Sequence, residues 1–254
     1  MQLKQILIFL RIVFSKKIRD IYCTILFNWI LYIKSQPLSL NQKSAIIFAP
    51  HQDDETFGCA GIIALKRSLN IPVKVVFITD GRVSKPSDIK SEEIINIRYQ
   101  EALNALEILG VLPSNIHFIG QIDNHLKGLS YEQQNKIIIE LSHLLKSFNT
   151  EEAYVPYRYD IHPDHEVTYS LVQRAIEASN MTVELWQYPV WLFWQNPLSL
   201  RFKFPVISSV YRISIELVQH QKNRAIASYH SQIKTLPSGL INCFLSPYEI
   251  FFKD

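Results

Sequence analysis

Two short stretches of this 254-residue chain gather the side chains that bind metals and move protons. The first, Ala49-Pro50-His51-Gln52-Asp53-Asp54-Glu55, sets an imidazole beside three carboxylates. The second, Tyr157-Arg158-Tyr159-Asp160-Ile161-His162-Pro163-Asp164-His165, offers two histidines and two aspartates. Charges packed this closely need solvent or a cation to be tolerated. Imidazole and carboxylate are ordinary zinc donors, and catalytic zinc takes three protein ligands and keeps one position open. His51, Asp54 and His165 could make such a set. Asp53 and His162 would then stand beside the ion, where proton-transfer groups are needed.

The elements around these stretches explain how they could meet. Ser44–Ala49 is a short apolar run, and Val73–Thr79 is rich in β-branched residues; both predict buried strands. Ile116–Ile119, Ala153–Pro156 and Val183–Val190 predict three more. Helical spacing marks Thr56–Leu69, a segment from Ser91 to Leu109 stopped by Gly110, Tyr131–Phe148, and a helix opened by Asp164 or His165 that runs to about Ala178. Asp80–Lys90 reads as a loop. Strands alternating with helices predict an α/β fold, three-layered and Rossmann-like, with a mostly parallel sheet covered on both faces. Ligands of such sheets sit at the carboxyl ends of the strands, and both polar stretches follow a predicted strand. Neither a GxGxxG nor a GxxxxGK[ST] pattern is present, which argues against a nucleotide site.

Composition narrows the classes further. Hydrophobic residues make up 48% and charged residues 19%, enough for a sizeable core. The net charge of +3, with no long basic run, argues against nucleic acid as the main partner. Cys23, Cys59 and Cys243 form no CxxC pair and suggest a reducing, cytoplasmic setting. Residues 1–42 form an apolar and basic arm ahead of a domain spanning 43–254, joined by the polar Ser35–Lys43. The arm's apolar runs are too short to favour a membrane span, and no cleavage site marks a secretory signal. It reads as a helical arm docked on the domain or on a partner subunit in a homo-oligomer, or as a peripheral membrane contact through residues 6–33 with Lys16, Lys17 and Arg19 near anionic head groups.

The polar motifs carry a resemblance. Pro50-His51-Gln52-Asp53-Asp54-Glu55 resembles the [A/P]-H-P-D-D-E signature of the PIG-L/LmbE family of N-acetylglucosaminyl deacetylases, and His162-Pro163-Asp164-His165 resembles its later H-P-D-H motif. Gly58-Cys59-Ala60-Gly61, Arg98-Tyr99-Gln100-Glu101-Ala102 and the segment from Lys222 to Ser231-Gln232 are similar to further family stretches. Gln52 departs from the pattern, where the family has Pro.

The resemblance implies a Zn2+ site of His51, Asp54 and His165, with another divalent metal left open, and Asp53 as general base. It implies His162 as general acid or oxyanion partner and Asp164 as a carboxylate that orients a histidine; the alternative for Asp164 is a helix cap. Arg98 is the expected substrate contact, or else a helix salt bridge. Gln52 and Asp80 are expected near substrate, with a plain turn as the alternative for Asp80. Glu55 is first-turn helix charge or a hydrogen-bond partner of the site. Trp191, Phe193 and Trp194 are expected in the core, at the pocket lip or against lipid. The implied substrate is an N-acetylated amino sugar, and the implied reaction is hydrolysis of its acetamide. An amidase acting on another sugar-linked amide and a non-catalytic, membrane-associated binding protein are the competing readings.

Overall fold

The computed structural model describes residues 2–82, 91–194 and 209–253. In chain order the elements are α1 (Gln2–Trp29), β1 (Gln36–Pro37), β2 (Ala45–Ala49), α2 (Asp54–Ser68), β3 (Val73–Thr79), α3 (Ser91–Ile108) and β4 (Ile116–Gln121). They continue with α4 (Tyr131–Ser147), β5 (Glu152–Pro156), α5 (Pro163–Ser179), β6 (Glu184–Tyr188) and β7 (Ser209–Ser214). The chain ends in α6 (Gln219–Ser228), α7 (His230–Ile233), α8 (Ser238–Phe244) and β8 (Tyr248–Lys253). Every helix and strand expected up to Tyr188 is present. Residues 83–90 of the expected loop lie outside the described residues.

One eight-stranded sheet runs in the order β1-β7-β8-β6-β5-β2-β3-β4. Among the described residues only β8 pairs antiparallel, with β6 and β7. From β2 the chain winds outward through β3 and β4, then returns to lay β5 and β6 on the other side. The order therefore reverses between β2 and β5, and the carboxyl ends of these two strands flank the crevice in which such sheets bind ligands.

Alternation along β2 builds both cores. Ala45, Ile47 and Ala49 enter a cluster with Phe57 of α2, Leu106 of α3 and Phe244 of α8, whereas Ile46 and Phe48 enter a second cluster with Leu141 of α4 and Val172 of α5. Residues that read as a polar linker do more than connect: Gln36 and Pro37 pair in parallel with Tyr211 and Arg212. From the arm, Cys23, Leu26, Phe27, Ile30 and Leu31 are buried in the first cluster.

Helix α2 lies close on the sheet because two of its residues have no side chain. A Cβ on Gly58 would stand 2.2 Å from Tyr188 Cδ2, and one on Gly61 would stand 2.3 Å from Ile215 Cγ2. Glu249 of β8 accepts the Gly61 and Ile62 N–H groups at 2.6 and 2.9 Å and pairs with Lys222 Nζ at 2.7 Å. Tyr188 is fully buried, and its hydroxyl donates to Phe48 O at 2.9 Å, so its ring has little room to retreat. Gly58→Ala is expected to destabilise the fold by about 1–3 kcal/mol through overpacking, measured by urea denaturation.

Candidate active site

The loop after β2 is the most constrained backbone near the sheet. Thr79 fastens it to β3: its N–H and hydroxyl donate to Pro50 O at 2.9 and 2.8 Å. Asp53 has φ 141°, a region that non-glycine residues rarely occupy. Glu55 holds that conformation. Its Oε2 accepts the Asp53 N–H at 3.0 Å, and its Oε1 accepts the Tyr229 hydroxyl at 2.5 Å and the Thr56 hydroxyl at 2.6 Å. Arg98 of α3 braces the same turn, donating from Nη2 to Gln52 O at 2.9 Å and lying 3.5 Å from Asp53 Oδ1.

The loop after β5 meets this turn across the switch point. Asp54 Oδ2 lies 3.0 Å from His51 Nδ1 and 3.3 Å from His165 Nε2. Tetrahedral ligands at roughly 2.0–2.1 Å from a zinc ion stand about 3.3–3.4 Å apart, so both spacings suit a shared ion. The far nitrogen of each histidine meets its own carboxylates. His165 Nδ1 is 2.8 Å from Asp160 Oδ2. His51 Nε2 is 3.1 Å from Asp123 Oδ1 and 3.4 Å from Asp164 Oδ2. His165 Nε2 is fully buried and makes no aligned hydrogen bond among the described residues, as expected of a lone pair aimed at a cation. Among the described residues, two triads bring one ligand atom from each member within 4.8 Å of one another: His51, His162 and His165, and His51, Asp123 and Asp164; His51, Asp54 and His165 are not such a set, Asp54 being near one nitrogen of each histidine. This grouping of imidazoles and carboxylates suits a divalent ion.

The electrostatics agree. Burial opposes charge on His165, but Asp54 and the Asp160 hydrogen bond override it and raise the imidazole to about 9. Burial likewise opposes charge on His51, yet contacts with Asp123, Asp164 and Asp54 lift it well above its ordinary value. Asp54 is held well below the usual carboxylate range: the pull of His165 and His51 outweighs its burial. The cluster favours positive charge around Asp54. Burial, opposed by Arg98 and reinforced by Asp54, raises Asp53 to about 8, a proton affinity suited to a base working near neutrality. Burial and the two neighbouring histidines lower His162 to about 4.

A cavity of about 190 Å3 opens here. Among the residues named from sequence, His51, Asp53, Asp54, Arg98, His162, Trp191 and Gln232 line it. His165 and Asp164 sit fully buried behind its wall. Gln52 does not line the cavity; it is buried, and its amide donates to Thr79 O at 2.8 Å. Asp80 does not line it either, because its carboxylate is turned to Arg82. Phe193 is buried and meets Phe27 edge-on at 5.2 Å. Helix α5 starts at Pro163 and is capped by His162, whose Nδ1 accepts the Asp164 N–H at 3.3 Å. The cap expected of Asp164 therefore falls to His162, since proline takes the first helical position readily. Asp164 instead accepts the Asn124 N–H at 2.7 Å.

Sequence reasoning passed over Asp123 and Asn124, and it quoted Asp160 and Gln232 without giving either a role. Asp123 and Asn124 lie after β4 with no motif around them. Asp160 lies inside the second polar stretch but was given no role, although its Oδ2 also accepts the N–H groups of Val190 and Trp191 at 3.2 and 3.0 Å. Its place before a histidine-rich helix start was the available signal.

An open α/β sheet with buried histidines and carboxylates at its switch point defines a class: a doubly wound protein with a candidate metal centre. Comparison with known proteins sharpens this. The family described as PIG-L, GlcNAc-PI de-N-acetylase, matches residues 46–176, about half of the chain. The chain belongs to that family. A probable N-acetyl-alpha-D-glucosaminyl L-malate deacetylase 2 of Bacillus anthracis is 28% identical over 141 residues, covering 54% of this chain and 60% of that protein. The chain thus matches about three fifths of the length of this relative. The N,N'-diacetylchitobiose deacetylase of Pyrococcus horikoshii shares the fold with a TM-score of 0.59 at 20% identity, covering 87% of this chain and 82% of that one. The 4-carboxy-2-hydroxymuconate hydratase GalB of Pseudomonas putida KT2440 does so with a TM-score of 0.59 at 18% identity, covering 80% and 82%.

Glu55 and Tyr229 join the strained turn to the C-terminal helices, and both are fully buried. Tyr229→Phe removes one donor from a buried carboxylate. It is expected to lower stability by about 1–3 kcal/mol, read from urea denaturation midpoints.

Proposed function

We propose that this chain is a metal-dependent hydrolase that removes the acetyl group from an N-acetylglucosamine-type sugar or glycoconjugate. The observation that supports it best is Asp54 Oδ2 lying between His51 Nδ1 and His165 Nε2, beside a cavity lined by Asp53. His51, Asp54 and His165 would hold the ion, zinc being the first candidate. A bound ion of this kind polarises a carbonyl and lowers the pKa of water toward about 7.

The remaining work falls to the chain's own groups. Asp53 accepts the proton of the attacking water and is placed for this by Arg98 and by the Glu55 clamp on its backbone. Arg98 acts here as a positioning residue, its guanidinium being engaged with Gln52 O. His162 receives the Asp164 N–H on Nδ1, which directs its own proton to Nε2. From there it donates to the carbonyl oxygen as that carbon becomes tetrahedral, a contact worth roughly 3–4 kcal/mol. The departing amine takes back the proton held by Asp53. Asp160 and Asp164 fix the ring orientations of His165 and His51. Trp191 offers a flat wall for a sugar ring.

The substrate class follows from what the relatives share: the family description and the Bacillus relative both name an N-acetylglucosaminyl group. The hydratase among the fold neighbours makes a direct assay necessary, because the fold hosts other chemistry. Acetate and free amine are measured after incubation with a panel of N-acetylglucosaminides, with zinc and with a chelator. Release is expected with the metal and is lost with the chelator; no release from any panel member with the metal present overturns the proposal. Asp53→Asn is expected to lower kcat by roughly 10²–10⁴ while leaving metal affinity near its original value. Asp160→Asn is expected to weaken metal binding by about 10–100-fold, measured by competition with a chromophoric chelator.

A further inference from the structure

Helix α1 has two unlike faces. One is buried: Cys23, Leu26 and Phe27 join the main core, and Asp20 accepts the Gly239 N–H at 2.7 Å. The other carries Ile18, Ile21 and Ile25, which are 41%, 61% and 62% exposed; Tyr32 and Ile33, just past the helix, are 63% and 70% exposed. Ile18, Ile21 and Ile25 recur at spacings of three and four, so they share one side of the helix. No described contact covers them. Lys16, Lys17 and Lys34 are exposed at the two ends of this stripe, and Arg19 is half-exposed beside it. Lys34 Nζ stands 5.0 Å from the Trp29 ring centroid, which places a cation and an aromatic ring together at one end. The arm's single acid, Asp20, is turned into the protein.

We propose that this face of α1 docks on an anionic bilayer surface. An apolar stripe bordered by lysines, with aromatic residues at one end, is the composition of a helix that lies in the interface plane. Among the described residues no helix is long and apolar enough to cross a membrane; the proposal is of a helix lying in the interface plane. A second copy of the chain is disfavoured as occupant, because pairing two such faces brings lysines of like sign together. An anionic head-group layer neutralises them instead, each basic residue adding to binding near the surface. The inference stands apart from the reaction, since none of these residues lines the catalytic cavity.

The full-length protein is mixed with vesicles of phosphatidylcholine alone and of phosphatidylcholine with phosphatidylglycerol, and sedimented at low and high salt. Binding is expected to the anionic vesicles, weakening as salt rises. Replacing Lys16 and Lys17 by alanine is expected to weaken it about thirtyfold. The triple variant Ile18→Ser, Ile21→Ser, Ile25→Ser is expected to weaken it by more than roughly tenfold. These side chains are exposed, so unchanged melting temperatures show that the variants are folded. Failure to sediment with anionic vesicles at low salt overturns the proposal, and so does equal binding to both vesicle types. A dimer in sedimentation velocity that the isoleucine variant dissociates also overturns it, by assigning the face to a second copy.

Discussion

Asp54 Oδ2 lies within 3.3 Å of imidazole nitrogens from the turn after β2 and from the first turn of α5, and much of the surrounding architecture keeps it there. Buried carboxylates and imidazoles cannot share so small a volume without a compensating charge. The surrounding carboxylates raise both imidazoles, and these in turn hold Asp54 below the usual carboxylate range. A dication placed among the same donors would meet the same electrostatic demand. Each histidine is further restrained by carboxylates at its far nitrogen, so its ring cannot turn without breaking that contact.

The cost of this arrangement appears in the backbone. Asp53 adopts a φ that its neighbours must enforce, and Glu55, Tyr229 and Arg98 do so from three separate elements. The C-terminal helices are thereby tied to the turn that holds Asp53 and Asp54. Glu249 and Lys222 add a second tie, joining β8 and α6 to the middle of α2. Positioning in this protein is distributed over the antiparallel strand β8 as well as the sheet's parallel core.

Family membership and fold carry different amounts of information. Fold neighbours at 18–20% identity include both a deacetylase and a hydratase, so the sheet alone does not choose a reaction. The choice rests on the side chains at the switch point, which is where the match to the family also lies.

Much of this was legible in the chain. Runs such as Val73–Thr79 and Ala45–Ala49 are apolar on both faces and had few alternatives to buried parallel strands. Polar clusters placed directly after two such runs gather at one sheet edge, which brings His51, Asp53, Asp54, His162 and His165 near one another. The directions of Gln52 and Asp80 were not legible: each amide or carboxylate had several partners in reach, and only the folded neighbours decide among Thr79 O, Arg82 and the cavity. Asp123 was silent for a related reason. A lone aspartate after β4 becomes part of the site only because β3 separates β4 from β2 by a single strand. The β1–β7 and β7–β8 pairings depend on partners far along the chain, and hydrogen bonds between distant backbones leave no local pattern of side chains to read. Residue type settled which groups could do chemistry; long-range packing alone settled which of them face one another.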